Sequence, residues 1–229
     1  MPFYHPMIRE IDEKEMRRYA GLARAKDFPE SLIKEACEEA LLLIQPKGIW
    51  QIYGYDDRNQ IILSPTPLKL KSQPLIEHLQ GSVQIAVMAV TIGAELELSI
   101  EKCFKQNRYA LGLLLDAAAT AAVEQTADAV NSFIAQEMSK VGLIALRRFS
   151  PGYGDWDITD QALVVEAAQG EQIQLSVTES CMLVPRKSVT AVIGLAPHED
   201  RLILPASETA TCLYCEQENC ASRKENHRK

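Results

Sequence analysis

Apolar and polar positions recur along the chain with periods that separate helices from strands. The spacing of apolar residues predicts a helix over residues 27–44, where Pro29 suits the first turn and Pro46 and Gly48 end it. A shorter helix is predicted over residues 10–22, and Asp12 is a suitable cap. The amino-terminal part of the chain is therefore expected to be helical.

Short apolar runs predict the strands. Residues 49–55 and 60–63 flank a polar turn and predict a hairpin. Residues 83–92 form a continuous apolar run of strand length, which favours a central strand. Further strands are predicted over residues 141–146 and 188–195.

The remaining helices predict how the fold is arranged. They are expected over residues 94–104, over the alanine-rich residues 109–138, and over residues 159–168 with Thr159 as the cap. Strands and helices do not alternate strictly, so we expect an α+β fold with a largely antiparallel twisted sheet flanked by helices. Residues 1–205 are predicted to form a single domain, and residues 206–229 a cysteine-containing polar tail.

Composition excludes several classes of protein. The chain has 229 residues, of which 47% are hydrophobic and 24% charged, as is usual for a soluble globular protein. A net charge of −7 argues against nucleic-acid binding, which needs a basic face. We find no membrane span and no secretory signal in the sequence, so we expect a cytoplasmic protein.

One segment combines a cation, a tight turn and an aromatic ring within six residues. Arg148 is followed by Pro151, Gly152 and Tyr153. A guanidinium can hold a carboxylate through two parallel hydrogen bonds, and a Pro-Gly turn lets main-chain groups approach a ligand. The alternative is an ordinary surface loop, which the pattern alone does not exclude.

A second segment, TESCMLVPRKSV, follows downstream and begins with Thr178, Glu179 and Ser180. Together with the Arg148 segment and the alanine-rich helix, it resembles the activation domain of cobalamin-dependent methionine synthase. The matching positions there include Pro185, Ser188 and Val189. The resemblance covers residues 108–195, whereas residues 1–90 match only loosely.

The resemblance implies a ligand and a set of residues. The ligand is S-adenosylmethionine, held by Arg148, the Pro151-Gly152-Tyr153 turn and Glu124, with the Thr178-Glu179-Ser180 segment at the edge of the site. Glu124 belongs to a polar stripe on the predicted long helix, at intervals of four residues. From the residues alone, a solvated face is the favoured explanation of that stripe.

The same resemblance implies a role and partners. The chain would reactivate a separate methionine synthase chain, which supplies the cobalamin. An electron donor such as a flavodoxin or ferredoxin would support the reductive methylation of inactive cob(II)alamin to methylcobalamin. The expected contribution to this methyltransferase activity in methionine biosynthesis is positioning, with no catalytic acid or base. Where the family continues into an aromatic-rich segment, this sequence has IGLAPHEDR, which departs from the pattern.

The tail contains three closely spaced thiols, Cys212, Cys215 and Cys220. Clustered thiols outside an oxidising compartment suggest a zinc or iron–sulfur site, although three thiolates are one ligand short of a closed site. The alternative for this segment is a tail with reducible cysteines and no metal. For the whole protein, the alternative functions are a metal- or redox-containing activator, or a regulatory binding module, of another corrinoid methyltransferase system.

Overall fold

The structure is a computed structural model that describes residues 3–22 and 28–197. The strands are β1 Phe3–Tyr4, β2 Lys47–Asp56, β3 Ile61–Ile62, β4 Leu68–Lys69, β5 Gln84–Thr91, β6 Leu143–Phe149, β7 Ser176–Val177, β8 Leu183–Val184 and β9 Ser188–Pro197. The main feature of the fold is an antiparallel sheet in the order β4-β3-β2-β5-β9-β6, with β1 paired to β2. A separate two-stranded hairpin pairs β7 with β8.

Helices cover both faces of this sheet. The helices are α1 Glu13–Tyr19, α2 Glu30–Leu43, α3 Gln73–Leu79, α4 Glu95–Lys105, α5 Tyr109–Ser139 and α6 Gln161–Ala168, with 3₁₀ turns at Ile158–Asp160 and Gly170–Ile173. On one face of the sheet lie α1, α2, α4 and α5, and on the other lie α3 and α6. Since every strand pair is antiparallel, the predicted α+β class is confirmed.

Strand β5 lies at the centre of the sheet, and its sequence explains why. Its side chains alternate between the two hydrophobic cores, one under α5 and one under α6. A strand buried on both faces is apolar along most of its length, and residues 85–90 of β5 form such a run. The β5 residues facing the α5 core are Ala86, Met88 and Val90, and those facing the α6 core are Ile85, Val87 and Ala89.

Helix α5 is the longest element and is buried on most of its surface. Its alanines lie against the sheet, with α1, α2 and α4 packed around it. Small side chains let the helix axis approach the strands closely. Gly48 of β2 faces Val130 of α5, and an added Cβ at Gly48 would lie only 2.4 Å from Val130 Cγ2.

Of the two predicted helix caps, the structure corrects one and confirms the other. Thr159 does not cap a helix over residues 159–168, because residues 158–160 form a 3₁₀ turn and α6 begins at Gln161. Asp157 caps the 3₁₀ turn, because its carboxylate accepts a hydrogen bond from the Thr159 backbone N–H at 2.9 Å, whereas Asp160 at the start of α6 makes no capping hydrogen bond through its side chain. The predicted cap at Asp12 is confirmed, since its carboxylate accepts from Glu15 N at 3.0 Å.

We expect Gly48→Ala to lower the free energy of unfolding by about 1–3 kcal/mol, because the added methyl group overpacks the buried contact with Val130. Gly54→Ala, in the same strand, is the matched control. Its added Cβ would meet only the end of the exposed Leu63 side chain at 3.3 Å, which can move aside. Urea denaturation of both variants measures the difference. Equal stabilities would show that the α5 approach tolerates a side chain at position 48.

Candidate functional site

A β-bulge in β6 determines which way Arg148 points. Ala145 pairs with Leu195 and Arg148 pairs with Ile193, so β6 has one residue more than β9 between these two pairs. In a regular strand, positions 145 and 148 would face opposite sides of the sheet. The extra residue returns Arg148 to the side covered by α5.

On that side, Arg148 binds two carboxylates of α5. Its Nη2 lies 2.7 Å from Glu124 Oε2, and its Nη1 donates to Asp128 Oδ1. Burial lowers the pKa of Arg148, but the two carboxylates outweigh this effect and raise it above its ordinary value, so the guanidinium stays charged. Glu124 and Asp128 are four residues apart and therefore lie on one face of the helix.

The turn after β6 is fixed by its own hydrogen bonds. Gly152 has a φ of +87°, which glycine adopts without strain. Its N–H donates to the carbonyl of Trp156 at 2.8 Å, and the Tyr153 N–H donates to the carbonyl of Ser150 at 3.1 Å. Pro151 is buried beneath this turn. The turn thus presents Tyr153 at the surface in one defined position.

Tyr153 lies beside the Arg148 cluster, which we define as Arg148, Glu124 and Asp128. Its ring makes an edge contact with Phe149, with centroids 6.1 Å apart, and the residue remains 51% exposed. Burial and the charge of Glu124 raise the pKa of Tyr153, while Arg148 opposes this shift. The structure therefore brings Arg148, Glu124, Gly152 and Tyr153 together, and their role in ligand binding remains a prediction.

Tyr19 was not expected at this site. It is the last residue of α1, which packs against α5, and burial followed by the charge of Glu124 raises its pKa. The Arg18 guanidinium carbon lies 4.1 Å from the centre of the Tyr19 ring. The charge of Glu124 thus raises the pKa of both Tyr19 and Tyr153. Periodicity could not reveal this, because it does not show which residues of distant helices meet.

The other half of the polar stripe binds a second cation. Lys187 Nζ lies 2.9 Å from Asp116 Oδ1 and 2.9 Å from Thr120 Oγ1. It also donates to the carbonyl of Asp116 at 3.2 Å. The stripe is thus bound by two cations from the strand side, and it is not simply a solvated face.

The Thr178-Glu179-Ser180 segment forms the exposed turn between β7 and β8. The Thr178 and Ser180 hydroxyls lie 3.0 Å apart, and Thr178 Oγ1 accepts from Met182 N at 3.1 Å. In the described part of the chain, no hydrogen bond or ion pair joins this turn to the Arg148 cluster. Its role as an edge of the ligand site stays a prediction.

The other possible sites lie away from the Arg148 cluster or outside the described residues. The Cys212, Cys215 and Cys220 site falls outside the described residues. Among residues 3–22 and 28–197, no group of three metal-ligating side chains is assembled, and no helix is long and apolar enough to cross a membrane. Two surface clefts, of about 530 and 360 Å³, lie beside residues 172–174 and between α2 and α4, away from Arg148.

The fold of this protein has a counterpart among solved structures. No family model matches the chain. No curated protein matches it either. Among solved structures, the α+β fold is similar to the reactivation domain of MetH bound to AdoHcy, with a TM-score of 0.55 and 16% sequence identity. The match covers 86% of this chain and 79% of that one. The predicted structural resemblance is therefore confirmed at the level of the fold.

His78 supports the bulged part of β6 from the opposite face of the sheet. Its Nε2 lies 2.7 Å from the backbone carbonyl oxygen of Arg147 and therefore donates a hydrogen bond to it. Its ring lies 5.7 Å from that of Phe149. Burial lowers the pKa of His78, although the hydrogen bond opposes the shift, so the folded protein favours the neutral ring.

Because the folded protein binds this proton less readily than the unfolded chain, the stabilising contribution of His78 is present above the unfolded pKa, about 6.5, and is lost as pH falls through the lower folded value. We expect His78→Gln to cost about 1 kcal/mol near neutral pH. The loss of stability between about pH 7.5 and about pH 5 should be smaller in this variant than in the wild type. Urea denaturation at both values measures the difference, and parallel pH profiles would contradict the assignment.

Proposed function

We propose that the protein binds S-adenosylmethionine at the Arg148 cluster. The observation that carries the proposal is a guanidinium held beside two carboxylates at the end of β6, on a fold shared with a domain whose structure contains AdoHcy. An α-amino acid group presents a carboxylate and an ammonium side by side. Arg148 is suited to bind the carboxylate, and Glu124 is suited to bind the ammonium.

Charge supports a cationic ligand. Arg148, Glu124 and Asp128 together have one net negative charge, whereas S-adenosylmethionine has one net positive charge at neutral pH because of its sulfonium. The two tyrosines near Glu124 add aromatic faces, which attract onium groups. The cluster therefore favours a zwitterionic group joined to an additional positive centre.

Within this proposal, the protein is a reactivation component of cobalamin-dependent methionine synthase. The bound S-adenosylmethionine would supply the methyl group in the reductive methylation of cob(II)alamin, which a partner chain contributes with an electron donor such as a flavodoxin or ferredoxin. Arg148 and Glu124 orient the amino acid end of the ligand, and Tyr153 covers it. The rigid turn at Gly152 holds Tyr153 in place, so the contribution of the protein is positioning.

We expect Arg148→Ala to weaken S-adenosylmethionine binding by about 2 kcal/mol, on the order of 30-fold, because the ligand carboxylate loses a charge-assisted partner. Arg147→Ala is the matched control, with an expected loss under about 0.5 kcal/mol, as for a surface residue. Arg148→Lys should recover only part of the affinity, since an ammonium lacks the planar fork. Isothermal titration calorimetry measures all three variants. Equal losses for the two alanine variants would exclude Arg148 as the anchor.

We also expect the protein to associate with a cobalamin-binding methionine synthase chain, preferentially when the cobalamin is in its inactive state. The test is a pull-down with a methionine synthase lacking its own activation domain, loaded in turn with cob(II)alamin and methylcobalamin. A corrinoid protein from a different methyltransferase system serves as the control. Capture of the control alone would favour the regulatory alternative. Capture of neither would contradict the proposed partnership.

A further inference from the structure

The Arg148 guanidinium is already paired in a way that obstructs a ligand carboxylate. A bidentate clasp uses two neighbouring N–H groups of the guanidinium for both oxygens of one carboxylate. Here Nη2 donates to Glu124 and Nη1 donates to Asp128, so the two terminal nitrogens serve different partners. A ligand that takes the paired edge of Arg148 must displace one of these carboxylates.

The exposure of the two acids shows which one leaves more easily. The Asp128 side chain is 68% exposed, so water solvates its carboxylate readily once the pair opens. The Glu124 side chain is only 35% exposed, so water solvates its carboxylate less readily and its release is less favourable. Exposed ion pairs are weak, which makes the Asp128 contact reversible.

We propose that Asp128 is an internal competitor for Arg148, and that a ligand carboxylate binds by taking the place of the Asp128 carboxylate. This inference rests on the proposed function and names a specificity-determining residue within that site. Glu124 stays on Arg148 during the exchange and keeps the guanidinium oriented. The exchange swaps one carboxylate for another, so it leaves the charge on the guanidinium balanced.

The competition acts differently on two related ligands. S-adenosylhomocysteine lacks the sulfonium charge, so Asp128 affects it mainly by occupying Arg148. S-adenosylmethionine has an additional positive charge on its sulfonium. The displaced Asp128 side chain stays near the site, and its negative charge attracts that sulfonium. Asp128 therefore favours the sulfonium ligand over its thioether product.

The experiment is isothermal titration of the full chain with S-adenosylhomocysteine, S-adenosylmethionine and 5′-methylthioadenosine, which has neither carboxylate nor ammonium. Asp128→Asn retains the shape of the side chain and removes its charge. We expect this variant to bind S-adenosylhomocysteine about 2- to 5-fold more tightly, the factor that an exposed ion pair contributes. The gain for S-adenosylmethionine should be smaller, and methylthioadenosine affinity should not change.

Glu137→Gln is the matched control. Glu137 lies on the same helix, pairs with Lys140 at 2.5 Å, and its substitution changes the net charge by the same amount. It should leave all three affinities unchanged. In an Arg148→Ala background, Asp128→Asn should no longer improve S-adenosylhomocysteine binding, because the guanidinium for which Asp128 and the ligand carboxylate compete is absent.

The outcomes separate this inference from the proposed function. Tighter S-adenosylhomocysteine binding by Asp128→Asn alone, lost in the Arg148→Ala background, supports the competition. If the wild type binds the nucleoside ligands but Asp128→Asn binds S-adenosylhomocysteine no more tightly, Asp128 is not a competitor and the proposed function stands. If neither the wild type nor any variant binds any of the three ligands, both the proposed function and this inference are wrong.

Discussion

The close approach of α5 to the sheet determines much of the remaining architecture. Alanines along the helix and Gly48 in β2 allow this approach, and α1, α2 and α4 cover the rest of the helix. Along the middle of this helix, the polar side chains of Asp116, Thr120, Glu124 and Asp128 form one stripe. That stripe lies where cations can reach it, and Lys187 and Arg148 bind its two halves. The ion pairs thus follow from the packing of the helix.

The candidate site is built from elements that the cores hold in place. Arg148 is turned toward α5 by the bulge in β6, while His78 binds the neighbouring carbonyl from the other face of the sheet. Glu124 belongs to a long packed helix, and the Gly152 turn is closed by main-chain hydrogen bonds. Positions fixed by packing and hydrogen bonding reduce the conformational freedom that a ligand must remove when it binds. The partly exposed Tyr153 and Asp128 are the less constrained parts of the site.

Local pattern predicted those elements whose periodicity follows directly from burial. The apolar run of β5 and the four-residue spacing of the α5 stripe could both be recognised, since each reflects an environment that repeats along one element. The bulge between Ala145 and Arg148 could not, because it is defined by pairing with β9. The two-residue strands β1, β4, β7 and β8 were not predicted for a related reason: two residues carry no measurable period. Tyr19 meets Glu124 only through the packing of α1 on α5.

The unequal exposure of Glu124 and Asp128 has a consequence for how stability and binding are related. Opening the contact between Arg148 and Asp128 releases an exposed carboxylate to water, which costs little because exposed ion pairs contribute at most about 1 kcal/mol. Removing Arg148 altogether leaves the Glu124 carboxylate partly buried and without its cation. An uncompensated, partly buried charge is more costly than a solvated one. The cluster can therefore exchange its outer carboxylate without disturbing the helix, whereas its inner pair is part of the fold.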